Sequence, residues 1–304
     1  MLVVDKPRGP TSHDVVARIR RALATREVGH AGTLDPMATG VLVVAVGEAT
    51  KLVAWLTAHE KAYDATVALG VETDTLDAEG REMGRAALEP GLLAELAAPA
   101  GSPTPRLRAA LEAERARTSQ VPPAFSAIQK DGERAYARAR RGEAVELAPR
   151  EVRVSLLELV ARSAEPPSLA LRLAVDKGYY VRSLARDLAA ALSTLGHLTS
   201  LRRTRSGCFT LDEAVALDVG DEVLAAHVEP LASAASRALP VARLTQDGAR
   251  DARHGRPVRP ADIHAPAPGP CAWLDAEGAL VAVGEVDESG AGKVLRGFLP
   301  LTPS

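Results

Sequence analysis

Residues 41–46 read Val-Leu-Val-Val-Ala-Val, an apolar run with no polar position. In a strand, successive side chains point to opposite faces. A strand with no polar position must therefore be covered on both sides. The run follows directly on "GHAGTLDPMATG" (29–40), which holds three glycines, one proline, one histidine and a single carboxylate, Asp35. Pro36 restricts the backbone of Asp35, and the glycines let the chain bend sharply and admit a neighbour closely. Three readings of this loop compete. A phosphate cradle is excluded, because neither GK[ST] nor GxGxxG is present. An Asp-Pro turn with a purely structural role stays open. The third reading is a catalytic carboxylate held on a rigid support, suited to a nucleophile or general base.

The flanking sequence supplies elements that such a strand requires. "LVVDKP" reads as a short buried strand ending at Pro7. Thr11 and Asp14 have capping-box spacing ahead of a helix whose apolar face is Val15, Val16, Ile19 and Leu23. Tyr63, Ala65, Val67 and Leu69 alternate as a strand, as do Leu169, Leu171, Leu173 and Val175. Val181, Leu184, Leu188 and Leu192 form a helical face that Gly196 can terminate. The acidic turn "ETDTLDAEG" has Thr75 where an EF-hand would place its first ligand, so calcium is rejected. The Pro-rich stretch 97–106 reads as a linker or surface excursion. From about Pro240, short apolar runs alternate with Gly/Asp/Pro turns, as in a small all-β module.

Composition narrows the class. With 304 residues, 46% hydrophobic, the chain is globular and forms one large domain or two. No apolar run approaches 18 residues, and no signal peptide is read at the N-terminus, so a membrane location is not expected. Cys208 and Cys271 are the only cysteines; no disulfide framework or zinc spacing follows, and a reducing cytoplasm fits. A net charge of -2 argues against a generic polyanion binder. Between Arg106 and Arg141, however, nine Arg/Lys face four Asp/Glu, and Arg202, Arg203 and Arg205 form a second cluster. Each is either a binding face or an ordinary solvated surface.

A catalytic carboxylate needs a partner that fixes its ionisation. No second acid lies near Asp35 in sequence, so a glycosidase pair is not read. Arginine stays cationic and pairs bidentately with carboxylates. Arg182, at the start of the helix behind "KGYY", is the preferred candidate, with an ordinary surface arginine as the competing reading.

"GHAGTLDPMATGVL" closely resembles the catalytic motif of the bacterial tRNA pseudouridine-55 synthases (TruB-type pseudouridine synthases). "LVVDKPRGPTSHDVV", "KAYDATVALGVETDTLDAEG", "QVPPAFSAIQKDGERAYARARRGE", "DKGYYVRSLARDLA" and "HLTSLRRTRSGCF" resemble further motifs of that family, in its order. Together they span residues 1 to about 215. The resemblance implies an α+β fold: a mixed, largely antiparallel central sheet flanked by helices, plus a small C-terminal β-barrel-like domain of the PUA type. The implied domains are 1–239, with a basic RNA-contacting thumb at about 121–143, and 240–304.

The implied reaction is the isomerisation of uridine 55 in the T loop of tRNA to pseudouridine, with no metal, nucleotide or redox cofactor. The implied roles follow residue by residue. Asp35 starts the reaction, by attack on base or ribose. Tyr63 packs on the flipped base near the C5 proton, and Arg182 pairs with the aspartate. Tyr180 contacts substrate, whereas Tyr179 replaces a less constrained neighbour. Leu201 lines the uracil pocket and His30 enters the T loop as the base leaves. Lys130 contacts the RNA. Asp77 and Lys6 are supporting residues. Flipping costs a few kcal/mol, and base–aromatic stacking returns roughly 1–3 kcal/mol. The partner is tRNA and the implied enzyme is a monomer. Two alternatives stand beside this reading: a guide-RNA-dependent pseudouridine synthase and a tRNA-folding chaperone on the same fold.

Overall fold

The computed structural model describes residues 1–298, except 100, 102, 127, 131 and 144. Among these residues the largest sheet has nine strands. Its order is Val154–Ala164, Pro167–Val175, Lys61–Leu69, Gly196–Ser206, Thr39–Val46, Leu2–Lys6 and Val215–Ala216. Val28–His30 pairs with Thr39–Val46, and Phe209–Thr210 with Gly196–Ser206. Two contacts are parallel: Thr39–Val46 against Gly196–Ser206, and Leu2–Lys6 against Val215–Ala216. The rest are antiparallel, so the sheet is mixed and largely antiparallel, as expected.

The 41–46 run lies inside this sheet and is covered on both faces. Leu42 and Val44 enter one core with Val15, Val16, Leu107, Leu111, Leu184 and Leu188. Those partners come from the helices Ser12–Ala22, Pro105–Arg115 and Val181–Ala191. Val41, Val43 and Ala45 enter a second core with Leu52, Ala234, Ala235, Leu274 and Val283. Each fully buried Val or Leu contributes roughly 1.5–3 kcal/mol of transfer free energy. The strand therefore has no exposed face on which to slip.

The capping box at Thr11 forms: the Thr11 hydroxyl accepts from the Asp14 amide at 3.1 Å, and Asp14 Oδ2 accepts from the Thr11 amide at 2.8 Å. The helix carrying Arg182 ends at Ala191, with Leu192 as its cap and Ser193 in the left-handed region. Gly196 does not terminate it. Gly196 opens the next strand, where a Cβ would lie 2.6 Å from the Ala189 methyl, so close strand-to-helix packing is its role. The excursion at 97–106 connects two helices, Pro90–Ala97 and Pro105–Arg115, that pattern reading does not resolve.

Beyond Pro240, five strands form a second sheet in the order Ile263–His264, Val241–Leu244, Cys271–Leu274, Leu280–Val286, Gly292–Gly297. The helix Gln246–Arg253 packs against it, and Thr245 caps that helix. A bridge from Val258 to Gly292 draws the chain ahead of one edge strand onto the other edge, curling the sheet towards closure.

Gly40 shows how tightly the Asp35 loop joins the main sheet. Its φ is +101°, and a Cβ there would lie 2.2 Å from the Arg203 carbonyl oxygen. The left-handed backbone alone costs a side chain about 1–3 kcal/mol. Gly40→Ala is therefore expected to lower the urea unfolding midpoint by more than that backbone cost accounts for. An unchanged midpoint would show that the two strands separate at no cost.

Candidate active site

The loop 31–38 connects the antiparallel strands Val28–His30 and Thr39–Val46. Buried backbone groups need partners, and this loop finds them in side chains from distant segments. Ser12 Oγ accepts from the Leu34 amide at 2.8 Å and donates to the Leu34 carbonyl at 3.1 Å. Lys6 Nζ donates to the carbonyls of Pro7, Pro10 and Pro36 at 2.9, 2.7 and 3.2 Å. Arg203 donates to the carbonyls of Val41 and Gly32 at 2.7 and 3.0 Å. Leu34 and Met37 face inward, each 3% exposed. The Asp35 side chain keeps 34% exposure, so the loop presents its carboxylate while everything around it is fixed.

Arg182 meets that carboxylate as expected. Its Nε lies 2.9 Å from Asp35 Oδ2 and its Nη2 donates to Asp35 Oδ1 at 3.2 Å. The guanidinium is almost fully enclosed. It also donates to the carbonyls of Thr75 and Phe125, both at 2.9 Å. Asp77 stands behind it, with Oδ2 3.8 Å from Arg182 Nε. The other Asp77 oxygen accepts from the Thr75 hydroxyl at 2.6 Å and the Glu79 amide at 3.1 Å. Asp77 thus helps shape the turn that supplies the Thr75 carbonyl.

Lys6 is fully enclosed. Burial pulls its ammonium down to about 8, yet its three protons match three carbonyls, so it remains a cation at neutral pH. Tyr63 and Leu201 are 8% and 6% exposed and share one core with Leu34 and Met37. Ala65 pairs with Leu201 across adjacent strands, next to Tyr63 on the same face. Tyr180 caps the Arg182 helix, and burial raises its phenol above the ordinary value. His30 meets His13 edge-to-face at 5.5 Å between ring centroids. Its Nδ1 is buried without a partner among the described residues. Burial, then the neighbouring His13 and Arg203 charges, hold His30 below its ordinary value. The side chain of Lys130 lies outside the described residues.

Two readings of the basic residues change. Arg203 is 1% exposed and ties the loop to the sheet, Arg202 pairs with Asp5 at 2.8 Å, and Arg205 pairs with Glu60 at 2.5 Å. Arg203 is internal scaffolding, whereas Arg202 and Arg205 are half-buried members of ion pairs. In the basic segment 121–143, Arg141 meets Glu133 at 2.5 Å and Glu143 at 2.7 Å, and Arg138 meets Glu143 at 2.9 Å. The excess of positive charge there is thus partly neutralised within the segment. Tyr179 also differs from its reading: its hydroxyl is buried and donates to Glu114 at 2.6 Å. Ser12 and Gln120 complete the surroundings. Neither stands out in sequence, because a lone Ser or Gln carries no spacing signal.

A family description of TruB family pseudouridylate synthases (N-terminal domain) matches residues 20–181, and one of the tRNA pseudouridylate synthase B C-terminal domain matches 182–236. The chain belongs to the TruB family of pseudouridylate synthases. It is 46% identical over 296 residues to the tRNA pseudouridine synthase B of Thermobifida fusca, covering 94% of both chains. It is 47% identical over 292 residues to that of Nocardia farcinica, covering 95% of this chain and 90% of the relative. Among solved structures, a chain of a Cbf5-Nop10-Gar1 complex matches with a TM-score of 0.72 at 24% identity, covering 98% of this chain and 84% of that one. That likeness shows the pseudouridine synthase fold. The TruB family chain is accordingly a pseudouridine synthase.

The state of His30 has a measurable consequence. The folded protein binds this proton less readily than the unfolded chain, so stability is lost as pH falls from the ordinary imidazole value of 6.5 towards the lower folded value. His30→Gln should reduce the loss in urea midpoint between pH 7.5 and pH 5.5. An unchanged loss would place the titrating group elsewhere.

Proposed function

We propose that this chain converts uridine 55 in the T loop of tRNA to pseudouridine, acting alone and without a cofactor. The observation that carries the reading is the Asp35–Arg182 pair in a TruB family chain: a single carboxylate, exposed at its tip, with both oxygens engaged by one enclosed guanidinium. The reaction is an isomerisation. The bond from ribose C1′ to N1 breaks, the base turns, and C1′ bonds to C5, which loses its proton while N1 gains one. Nothing is oxidised, and no group leaves the molecule.

Each side chain has a place in that sequence. Asp35 initiates cleavage, and its fixed loop removes the entropy of finding the attack geometry. Arg182 holds the carboxylate in one orientation. Tyr63 offers its ring to the flipped base and its phenol near C5. Tyr180 and Leu201 line the base pocket, and His30, neutral at working pH, fills the space that the base leaves. Asp77 and Lys6 support the arginine and the loop. The thumb closes on the RNA backbone, where phosphates compete with its own glutamates for Arg138 and Arg141. The module from Pro240 acts as a PUA-type domain that recognises shape, since its seven Lys/Arg are outnumbered by eight Asp/Glu. A cytoplasmic monomer suits a substrate of this kind. No described helix is long and apolar enough to cross a membrane.

The relatives at 43–47% identity favour tRNA over a guide-RNA assembly, since each is named tRNA pseudouridine synthase B. The likeness to a chain of an H/ACA particle is at 23% identity and bears on the fold alone.

Asp35→Asn keeps the shape and removes the charge. Pseudouridine at position 55 of a tRNA transcript should then be undetectable by base-resolved mapping, with binding largely kept. Activity within tenfold of the parent would sink the assignment. Tyr63→Phe keeps stacking and removes the phenol oxygen. Its single-turnover rate should fall well below the parent while tRNA affinity holds, and an equal rate would show that the ring alone matters.

A further inference from the structure

The helix Val181–Ala191 begins at Tyr180 without a side-chain cap of its own. Its start is held instead by Gln120, 2% exposed, from a segment 60 residues away in sequence. Gln120 Oε1 accepts from the Tyr180 amide at 2.9 Å, and Gln120 Nε2 donates to the Tyr180 carbonyl at 3.2 Å. One side-chain amide thus makes both bonds of an antiparallel rung and fixes the backbone on each side of Tyr180. Ser183 Oγ and Arg186 Nη2 donate to the Val121 carbonyl at 2.9 and 3.1 Å, and Arg182 itself donates to the Phe125 carbonyl. Behind the junction, the Tyr179 hydroxyl donates to Glu114, which is 1% exposed and paired with Arg117 at 2.7 Å.

We propose that Gln120 is a positioning residue for this enzyme. Its amide sets the backbone at Tyr180 and so places both the Tyr180 ring and the Arg182 guanidinium against Asp35, with the Tyr179–Glu114 bond as second anchor. The same segment leads on into the thumb, so the clamp joins the base of the thumb to the catalytic pair. A buried amide whose bonds among the described residues all go to this backbone is a costly device for filling space, because an apolar side chain would fill it without needing hydrogen bonds. Small displacements at a reacting centre are expensive: a 1 Å shift costs on the order of 100-fold in rate. The proposal deepens the functional reading above and rests on it for the roles of Arg182 and Tyr180.

The test uses the full chain with two variants, Gln120→Ala and Gln120→Glu. The glutamate keeps an acceptor for the Tyr180 amide but has no donor for its carbonyl. Single-turnover pseudouridine formation in a tRNA transcript is measured at saturating enzyme, with tRNA affinity and thermal midpoint alongside. The Arg182 Nε–H resonance is followed by NMR in the free protein, assigned through its loss in Arg182→Lys. Gln120→Ala should lower the saturated rate by about thirtyfold or more while affinity changes by less than about threefold. The Arg182 signal should lose its protection from exchange with solvent. Gln120→Glu should recover part of both. A rate and affinity that fall in proportion, or an unchanged Arg182 signal, would overturn the proposal and leave Gln120 as packing alone. The resonance needs no RNA. If the wild type left tRNA unmodified while Gln120 still governed the Arg182 signal, the functional reading would fail and the positioning role would stand.

Discussion

The Thr39–Val46 strand is covered on both faces, and the architecture of the site follows from that coverage. Its side chains feed two cores at once, one roofed by helices and one closed by the C-terminal sheet. A strand caught between two cores can neither shift its register nor tilt, because either motion would open cavities on both sides. The loop that precedes it inherits this immobility. Its backbone groups are then satisfied by Lys6, Ser12 and Arg203, from three separate segments. What remains free to meet a substrate is the tip of one carboxylate.

Charge is used mainly for construction. Arg202, Arg203 and Arg205 follow one another closely on a single strand, yet each is committed to a different partner within the protein. Arg182 makes bonds to one carboxylate and two carbonyls while nearly excluded from water. A buried guanidinium is tolerated only when its donors are matched, and this matching makes Arg182 a fixed reference point for Asp35. A net charge near zero is therefore compatible with an RNA-modifying enzyme: several of the cations are tied into the scaffold, and Arg138 and Arg141 are paired with glutamates.

The junction ahead of the Arg182 helix links three regions that are remote in sequence. Gln120, Glu114 and Thr75 all reach it through hydrogen bonds rather than apolar contacts. Directional bonds locate atoms more narrowly than packing does. That precision holds the Arg182 guanidinium against the Asp35 carboxylate.

The sequence by itself determined the local structure and the candidate chemistry. The unbroken apolar run required a strand covered on both faces, the Thr11–Asp14 spacing required a capped helix, and the lone carboxylate between glycines and a proline marked Asp35. The pairing preference of carboxylates for arginine pointed to Arg182 as its partner, and the motif resemblance supported that choice. Each of these signals lies within a few residues, where periodicity and backbone restriction operate. The tertiary structure decided the rest. It turned Arg203 from a surface charge into the clamp of the Asp35 loop, made Gly196 a packing contact instead of a helix stop, and made Tyr179 an anchor. It also brought Gln120 onto Tyr180. Apart from Gly196, which packs on nearby Ala189, these roles depend on partners 60 or more residues away, such as Gln120 to Tyr180 or Arg203 to Gly32. A single side chain has no periodicity, so its role becomes defined only when the fold closes around it.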